Sequence, residues 1–416
     1  MGKQYITFLM LSSILLIGTG CDNKVTPSIY DRDAVGNDAP IIDTVEPSSV
    51  YALIDNITIT GDNFSDNPLL NYVYFGNAKA TILENSTTQL VVLAPYIEGD
   101  SLTVKVAASG AYAFGEYSPY KIEFAAIEYG GITETHGVSA VACADSEKVY
   151  ICSGGLMKIQ LITPESDSPE DFASIPLTLL STPFINMSVG PNGYLYGTNR
   201  KVVYYVSPDG SIVDKYATLG GNANDIDFDI NDNMFVASRG AIYCIQADTT
   251  VTKAATYDSR HDLKSLRIYD GYVYAAGAYT GTNVTYIKRG VWRNQILDAN
   301  GTLGAWENVF DWGSYIGTAG PDLLSITFNA DGVMYLGADE AVGFDAIYML
   351  EPDGGGSYLT SVPEPLFPAV LNAPTNNFVW GSDQYLYVNR MGVAAGDKRL
   401  IRITTGKLSA PYYGRE

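Results

Sequence analysis

Residues able to carry chemistry are few in this chain, and the densest group of carboxylates is Asp225-Ile-Asp-Phe-Asp229 with Asp232 just beyond it. Carboxylate and amide oxygens suit a hard cation such as Ca²⁺, and Asp225 and Asp227, two residues apart, fall on one side of an extended strand. Arg267 lies in a similar stretch and could pair with Asp227. The plainer reading is a strand with a polar face followed by an Asp/Asn turn. Aromatic residues are a second resource, because Trp and Tyr rings stack on flat sugar faces while their polar edges bond hydroxyls. Trp312, Tyr315 and Tyr279 are the candidates for this role, whereas Trp292 and Trp306 read as packing. Only two histidines occur, His136 and His261, both read as solvated loop residues. No G-x-S-x-G elbow, P-loop or H-E-x-x-H motif appears.

The elements that would position these residues form an internal repeat. Each copy has an alternating strand, an Asp/Asn/Gly turn, and an aliphatic-aromatic-aliphatic strand. The six copies are 140–152, 186–197, 225–236, 265–275, 325–336 and 377–388, with the second-strand aromatic at Tyr150, Tyr196, Phe235, Tyr274, Tyr335 and Tyr387. A third strand follows, as in Val202–Val206, and a fourth shows in several copies. Four strands per unit predict a blade, and six units predict a closed six-bladed propeller over residues 127–416. The pattern resembles NHL-type and related six-bladed β-propellers, a fold that hosts binders, lyases, lactonases and hydrolases. Closure must remove the free sheet edge, and residues 127–135 are expected to supply an outer strand to the last blade.

Aligning the copies defines the axis. The first inward positions are Ala140, Asn186, Asp225, Ser265, Ser325 and Asn377; two residues on come Ala142, Ser188, Asp227, Arg267, Thr327 and Val379. The loops entering the innermost strands, and those between second and third strands, should converge on one mouth, the default ligand site. Asn186, Asp225, Asp227, Arg267, Asn377, Trp312, Tyr315 and Tyr279 are therefore the candidate ligand-binding residues, with a water-filled polar channel as the bland alternative. The resemblance to gluconolactonase-like propellers implies a metal at the channel, with Asp225 as its ligand here; the ring holds no other carboxylate. No cofactor is otherwise indicated.

Residues 40–126 form a different unit, with short strands every 10–15 residues divided by Gly, Pro and Asn, the pattern of an antiparallel sandwich. Pro40-Ile-Ile-Asp-Thr-Val-Glu-Pro47, Ile57-Thr-Ile-Thr-Gly-Asp-Asn-Phe64, Val73-Tyr-Phe-Gly76, Ala94-Pro95 and Ser118-Pro119 resemble the IPT/TIG family of immunoglobulin-like domains. That resemblance implies a spacer or interaction module without catalytic residues. The chain thus reads as all-β, an immunoglobulin-like sandwich followed by a propeller.

Residues 1–20 read as an export signal: Lys3, an apolar run from Ile6 to Ile17, then Gly18-Thr19-Gly20 before Cys21. Small residues followed by Cys resemble the bacterial lipobox, which implies cleavage before Cys21, its acylation, and a membrane held without spanning it. Asp22-Asn23-Lys24 resembles the surface-export signal of Bacteroidetes lipoproteins, and residues 21–39 read as a tether. The expected location is the outer membrane, at the cell surface. Cys143, Cys152 and Cys244 remain; buried thiols are the preferred reading, with a bridge across the Cys143–Cys152 hairpin as the alternative.

The composition sets the outer limits. The 416 residues carry 25 Lys+Arg against 46 Asp+Glu, a net charge of −21, which opposes nucleic-acid phosphates and anionic lipid surfaces. With 46% hydrophobic residues a large core is within reach, and the composition argues against a disordered chain. The expected function is non-catalytic binding or adhesion, with a glycan or surface protein as partner. The alternatives are a metal-dependent lactonase or lyase using Asp225, Asn186 and Asn377, and a structural scaffold with a protein partner.

Overall fold

A computed structural model describes residues 36–133, 135–166, 168–353, 356–368, 370–382, 384–391 and 398–415. The export signal, Cys21 and most of the tether lie outside these residues; of the tether's last four, Asn37 bridges to Ala111. The fold is nearly all strand, with one short α-helix, Trp312–Ile316, among the described residues.

The first domain is a sandwich of two sheets. One contains Ile41–Glu46, Asn56–Asp62, Gln89–Leu93 and Thr81–Asn85; the other contains Ser49–Tyr51, Gly115–Glu123, Gly99–Ala108, Asn71–Phe75 and Ala78–Lys79. Alternation in the sequence becomes alternation in burial: Ile57, Ile59, Val73, Phe75, Leu90, Val92, Val104 and Val106 all face the core. Tyr120 lies over this core and donates its hydroxyl to the Pro47 carbonyl at 2.8 Å. Tyr51, at the end of its strand, and Leu53 and Ile54 just beyond it pack against the apolar core shared by the last two blades.

The remainder is six four-stranded antiparallel sheets. Their innermost strands are Val138–Cys143, Asn186–Val189, Asp225–Phe228, His261–Tyr269, Leu323–Phe328 and Asn377–Trp380, which we number blades 1 to 6. The register confirms the repeat alignment: Ala140 faces Cys152, Asn186 faces Thr198, Asp225 faces Ala237, Ser265 faces Ala276, Ser325 faces Gly337 and Asn377 faces Asn389. The second-strand aromatics stand between neighbouring sheets, as where Tyr196 of blade 2 meets Phe228 of blade 3 at 5.3 Å. Blade 4 uses its extra length to extend its strands: Arg289–Ile296 and Leu303–Phe310 hold Trp292 and Trp306.

Closure uses the strand just after the sandwich. Ala126–Glu128 pairs antiparallel with Lys398–Thr404 as the outer strand of blade 6, with Ile127 opposite Arg402. The expected strand over residues 127–135 is thus shorter and begins one residue earlier, so Ala126 belongs to the propeller. Cys143, Cys152 and Cys244 are free and buried, and burial raises the Cys143 thiol to about 12 and the Cys152 thiol to about 11.

Ile403 is fully buried and pairs with both Ala126 and Leu386, so it sits at the seam of the ring. Ile403→Ala should lower stability by about 2–4 kcal/mol through the cavity it leaves. Denaturant unfolding should show a lower midpoint with an unchanged far-ultraviolet circular dichroism spectrum.

Candidate functional site

The innermost strand of each blade has one side without a neighbouring strand, so alternate N–H and C=O groups point toward the next blade. Buried backbone groups need partners, and inward side chains supply them. Asp225 of blade 3 accepts from Ser265 Oγ at 2.5 Å and from the Leu266 N–H at 2.9 Å, both on blade 4, and from its neighbour Ile226 N–H at 2.8 Å. Asp227 likewise accepts from the Ile268 N–H at 2.9 Å and from Arg267. Ser265 Oγ accepts from the Ile326 N–H of blade 5 at 3.2 Å. Ser325 Oγ donates to the Thr375 carbonyl ahead of blade 6 at 2.9 Å, and Asn377 Nδ2 donates to Val141 of blade 1 at 3.4 Å. The polar ring is therefore a relay that fastens blades 3, 4, 5, 6 and 1 in turn.

The predicted pair of Asp227 and Arg267 is present and buried. The C-terminal tail closes over it. Arg267 donates to the Pro411 carbonyl at 2.7 Å, and its guanidinium lies 3.4 Å from the centre of the Tyr412 ring. The Tyr412 hydroxyl reaches Thr327 Oγ1 at 3.2 Å and accepts from the Trp380 N–H at 3.4 Å, while Arg415 donates to the Trp380 carbonyl. The tail thus seals the face where the innermost strands end. Asn186, Asp225, Asp227, Arg267, Asn377 and Tyr412 line a remaining cavity of about 30 Å³, room for one or two waters rather than a sugar. Burial pushes the Asp225 carboxyl up to about 7, against the pull of its three hydrogen bonds. An acid held near neutrality and occupied by three donors is a poor Ca²⁺ ligand. No group of three or more His, Cys, Asp or Glu among the described residues could hold a metal.

The aromatic candidates separate from the axis. Trp312 is fully buried and donates Nε1 to the Pro321 carbonyl at 2.7 Å, so it packs rather than stacks on a ligand. Tyr279 is also buried, 4.6 Å from the His261 ring, and offers no open face. Tyr315 is 43% exposed and donates to the Pro363 carbonyl at 3.0 Å. His261, expected in solvent, is enclosed by Tyr257, Tyr279, Tyr286, Trp292 and Trp306, and burial holds its pKa below the usual histidine value. The extended first strand of blade 4 carries it inward. His136 stays in the loop before blade 1, its Nδ1 accepting from the Thr133 N–H at 3.1 Å.

The open space at the mouth lies off the axis, around blade 2. A cleft of about 620 Å³ is lined by Leu179 to Thr182, by Asn199 to Val202, and by Tyr204 and Asn222. Leu179 to Thr182 enter the innermost strand, and Asn199 to Val202 turn between the second and third strands. Asn199 fixes the two segments together, donating to the Pro183 carbonyl at 2.6 Å and to Thr182 Oγ1 at 3.0 Å. Arg200 and Lys201 are exposed and form no ion pair among the described residues. Alignment of inward positions could not find these residues, because they occupy the hairpin tip rather than the strand.

Residues 40–124 match the IPT/TIG domain. Among solved structures, the chain is similar to a Bacteroides thetaiotaomicron protein provisionally named a phosphatase. The identity is 11%, 89% of this chain and 98% of that one are covered, and the TM-score is 0.50. An auxiliary nutrient binding protein from Bacteroides thetaiotaomicron matches at 12% identity over 88% of this chain and 98% of that one, TM-score 0.48. The calcium-binding protein regucalcin from Agrobacterium tumefaciens matches at 12% identity over 68% and 97%, TM-score 0.46. At 11% identity the likeness to the first of these is one of fold alone. No curated protein matches the chain. The chain is an IPT/TIG immunoglobulin-like domain followed by a β-propeller.

Asp225 gives the axis a pH signature. Its folded value, about 7, lies above the 3.8 of a free aspartate, so the folded state holds the proton more tightly. The associated stability is complete below about pH 4 and is lost as pH rises through about 7. Asp225→Asn keeps an acceptor for the Leu266 N–H without a charge. Relative to that variant, the wild type should lose on the order of 2–4 kcal/mol of unfolding free energy between pH 4 and pH 8. Parallel pH profiles for the two proteins would contradict this assignment.

Proposed function

We propose that this chain is a non-catalytic binding protein, exported and lipid-anchored at Cys21 on the outer-membrane surface, with the immunoglobulin-like domain as its spacer. The observation that carries this reading is the state of the axial carboxylates. Asp225 and Asp227 each accept three hydrogen bonds, at least one from the backbone of the next blade. A carboxylate committed to fastening two blades is not free to act as acid, base or metal ligand. Binding therefore moves from the axis to the mouth-face cleft, whose exposed Ser181, Thr182 and Asn222 offer hydroxyl and amide groups. Sugar hydroxyls pair with such groups. Arg200 and Lys201, adjacent and exposed in a chain of net charge −21, favour a glycan that carries carboxylate or sulfate groups.

Affinity electrophoresis through gels containing acidic polysaccharides should retard the protein. The double variant Arg200→Ala/Lys201→Ala should lose the retardation with its melting temperature unchanged. A wild-type protein that passes every acidic and neutral polysaccharide gel unretarded would overturn the glycan reading. In detergent phase separation, the full chain made in a bacterium should enter the detergent phase, and Cys21→Ala should move it to the aqueous phase.

A further inference from the structure

We propose a second binding site on the opposite, tail-bearing face, at the junction of blades 2 and 3: an aromatic cage for an organic cation with an ammonium or guanidinium head. A cavity of about 370 Å³ there is walled by Tyr194, Tyr196, Tyr205, Tyr216 and Phe228, with Asp232 at its edge. The rings meet at steep angles: Tyr196 and Tyr216 at 74° and 4.9 Å, Tyr196 and Phe228 at 58° and 5.3 Å, Tyr194 and Tyr205 at 55° and 5.9 Å. Tyr196 and Phe228 are buried and form the floor, and the half-buried Tyr194, Tyr205 and Tyr216 form inclined walls that suit a compact charge, whereas a sugar is received by one open, flat ring. Asp232 is exposed and forms no ion pair among the described residues.

The protein's own repeats show which group such a site accepts. In the blade register, Tyr272 and Tyr274 of blade 4 stand where Tyr194 and Tyr196 stand in blade 2. The residue opposite Tyr274 is Arg293, whose guanidinium lies 4.4 Å from the Tyr272 ring and 5.8 Å from the Tyr274 ring. In blade 6, Tyr385 and Tyr387 take the same places. Arg402, opposite Tyr387, lies 4.7 Å from the Tyr385 ring. In blade 2 the residue opposite Tyr196 is Tyr205, so the arginine is replaced by another ring. Blade 4 also covers Phe328 of its neighbour with Tyr269, stacked at 4.7 Å and 8°; the matching position in blade 2 is Gly190, over which Tyr196 and Phe228 close, so these two rings are buried at the floor of the cavity. An internal cation thus covers both tyrosines of the pair in blade 4 and the first of them in blade 6, whereas blade 2 has a tyrosine in the arginine's place and a carboxylate at the edge. The net charge of −21 favours the approach of a cation.

The test is titration calorimetry on the folded chain with choline, with N-acetyl-arginine amide, and with 3,3-dimethylbutanol, the neutral isostere of choline. Saturable binding of choline or of the arginine derivative is expected, and the tighter of the two identifies the head group. The neutral isostere should bind at least tenfold more weakly. Tyr205→Arg rebuilds the self-filled arrangement of blades 4 and 6 and should reduce cation affinity at least tenfold. Asp232→Asn, at an exposed position, should reduce it several-fold and flatten its salt dependence even if Tyr205→Arg folds poorly. Equal affinity for the neutral isostere, no binding of either cation, or cation binding that survives both Tyr205→Arg and Asp232→Asn would overturn the proposal.

Discussion

Everything in the propeller depends on how the bare edges of its innermost strands are satisfied. Each blade completes its backbone ladder within its own sheet, which leaves a row of N–H and C=O groups turned toward the next blade at the axis. Water cannot serve them all where only about 30 Å³ remains open. Side chains one blade back therefore serve instead: Asp225 for Leu266, Asp227 for Ile268, Ser265 for Ile326. An unmet buried N–H costs about 1–3 kcal/mol, so these short polar side chains are constrained by cohesion before any ligand is considered. The same constraint explains the tail, whose Pro411 carbonyl and Tyr412 ring complete the surroundings of Arg267 at the sealed face.

The relay is uneven around the ring. It links blades 3 to 4, 4 to 5, 5 to 6 and 6 to 1, while the junctions on either side of blade 2 are held by apolar and aromatic packing through Phe184, Met187 and Tyr204 and through Tyr196, Phe228 and Tyr243. The basic cleft on the mouth face and the tyrosine-walled one on the tail face lie at those two junctions. Large rings also pack the hydrogen-bonded junctions, as with Tyr274 and Phe328 between blades 4 and 5 and Tyr335 and Trp380 between blades 5 and 6, so what sets blade 2 apart is that the side-chain relay does not run through it.

Much of this was legible from residue order. The six copies, their register, the pairing of Asp227 with Arg267 and the use of the segment after the sandwich to close blade 6 all follow from period-two alternation and from the requirement that a closed ring have no free edge. The roles of the aromatics were not legible. Trp312, Tyr279 and His261 carry no local mark that separates a stacking platform from a packed ring, and their burial depends on helix 312–316 and on the extended strands of blade 4. Arg200 and Lys201 read as an ordinary hairpin tip until the loop 179–182 is placed beside them.

Residue order alone settled the architecture, because strand alternation, turn chemistry and repeat spacing are local properties that every copy states again. Folding in three dimensions decided which polar groups are consumed and which are left open. That outcome depends on contacts between residues forty or more positions apart, such as Asp225 with Ser265, and on a tail that returns some 140 residues later to cover Arg267. Desolvation and ring packing at those contacts are properties of the assembled neighbourhood, and no single segment carries them.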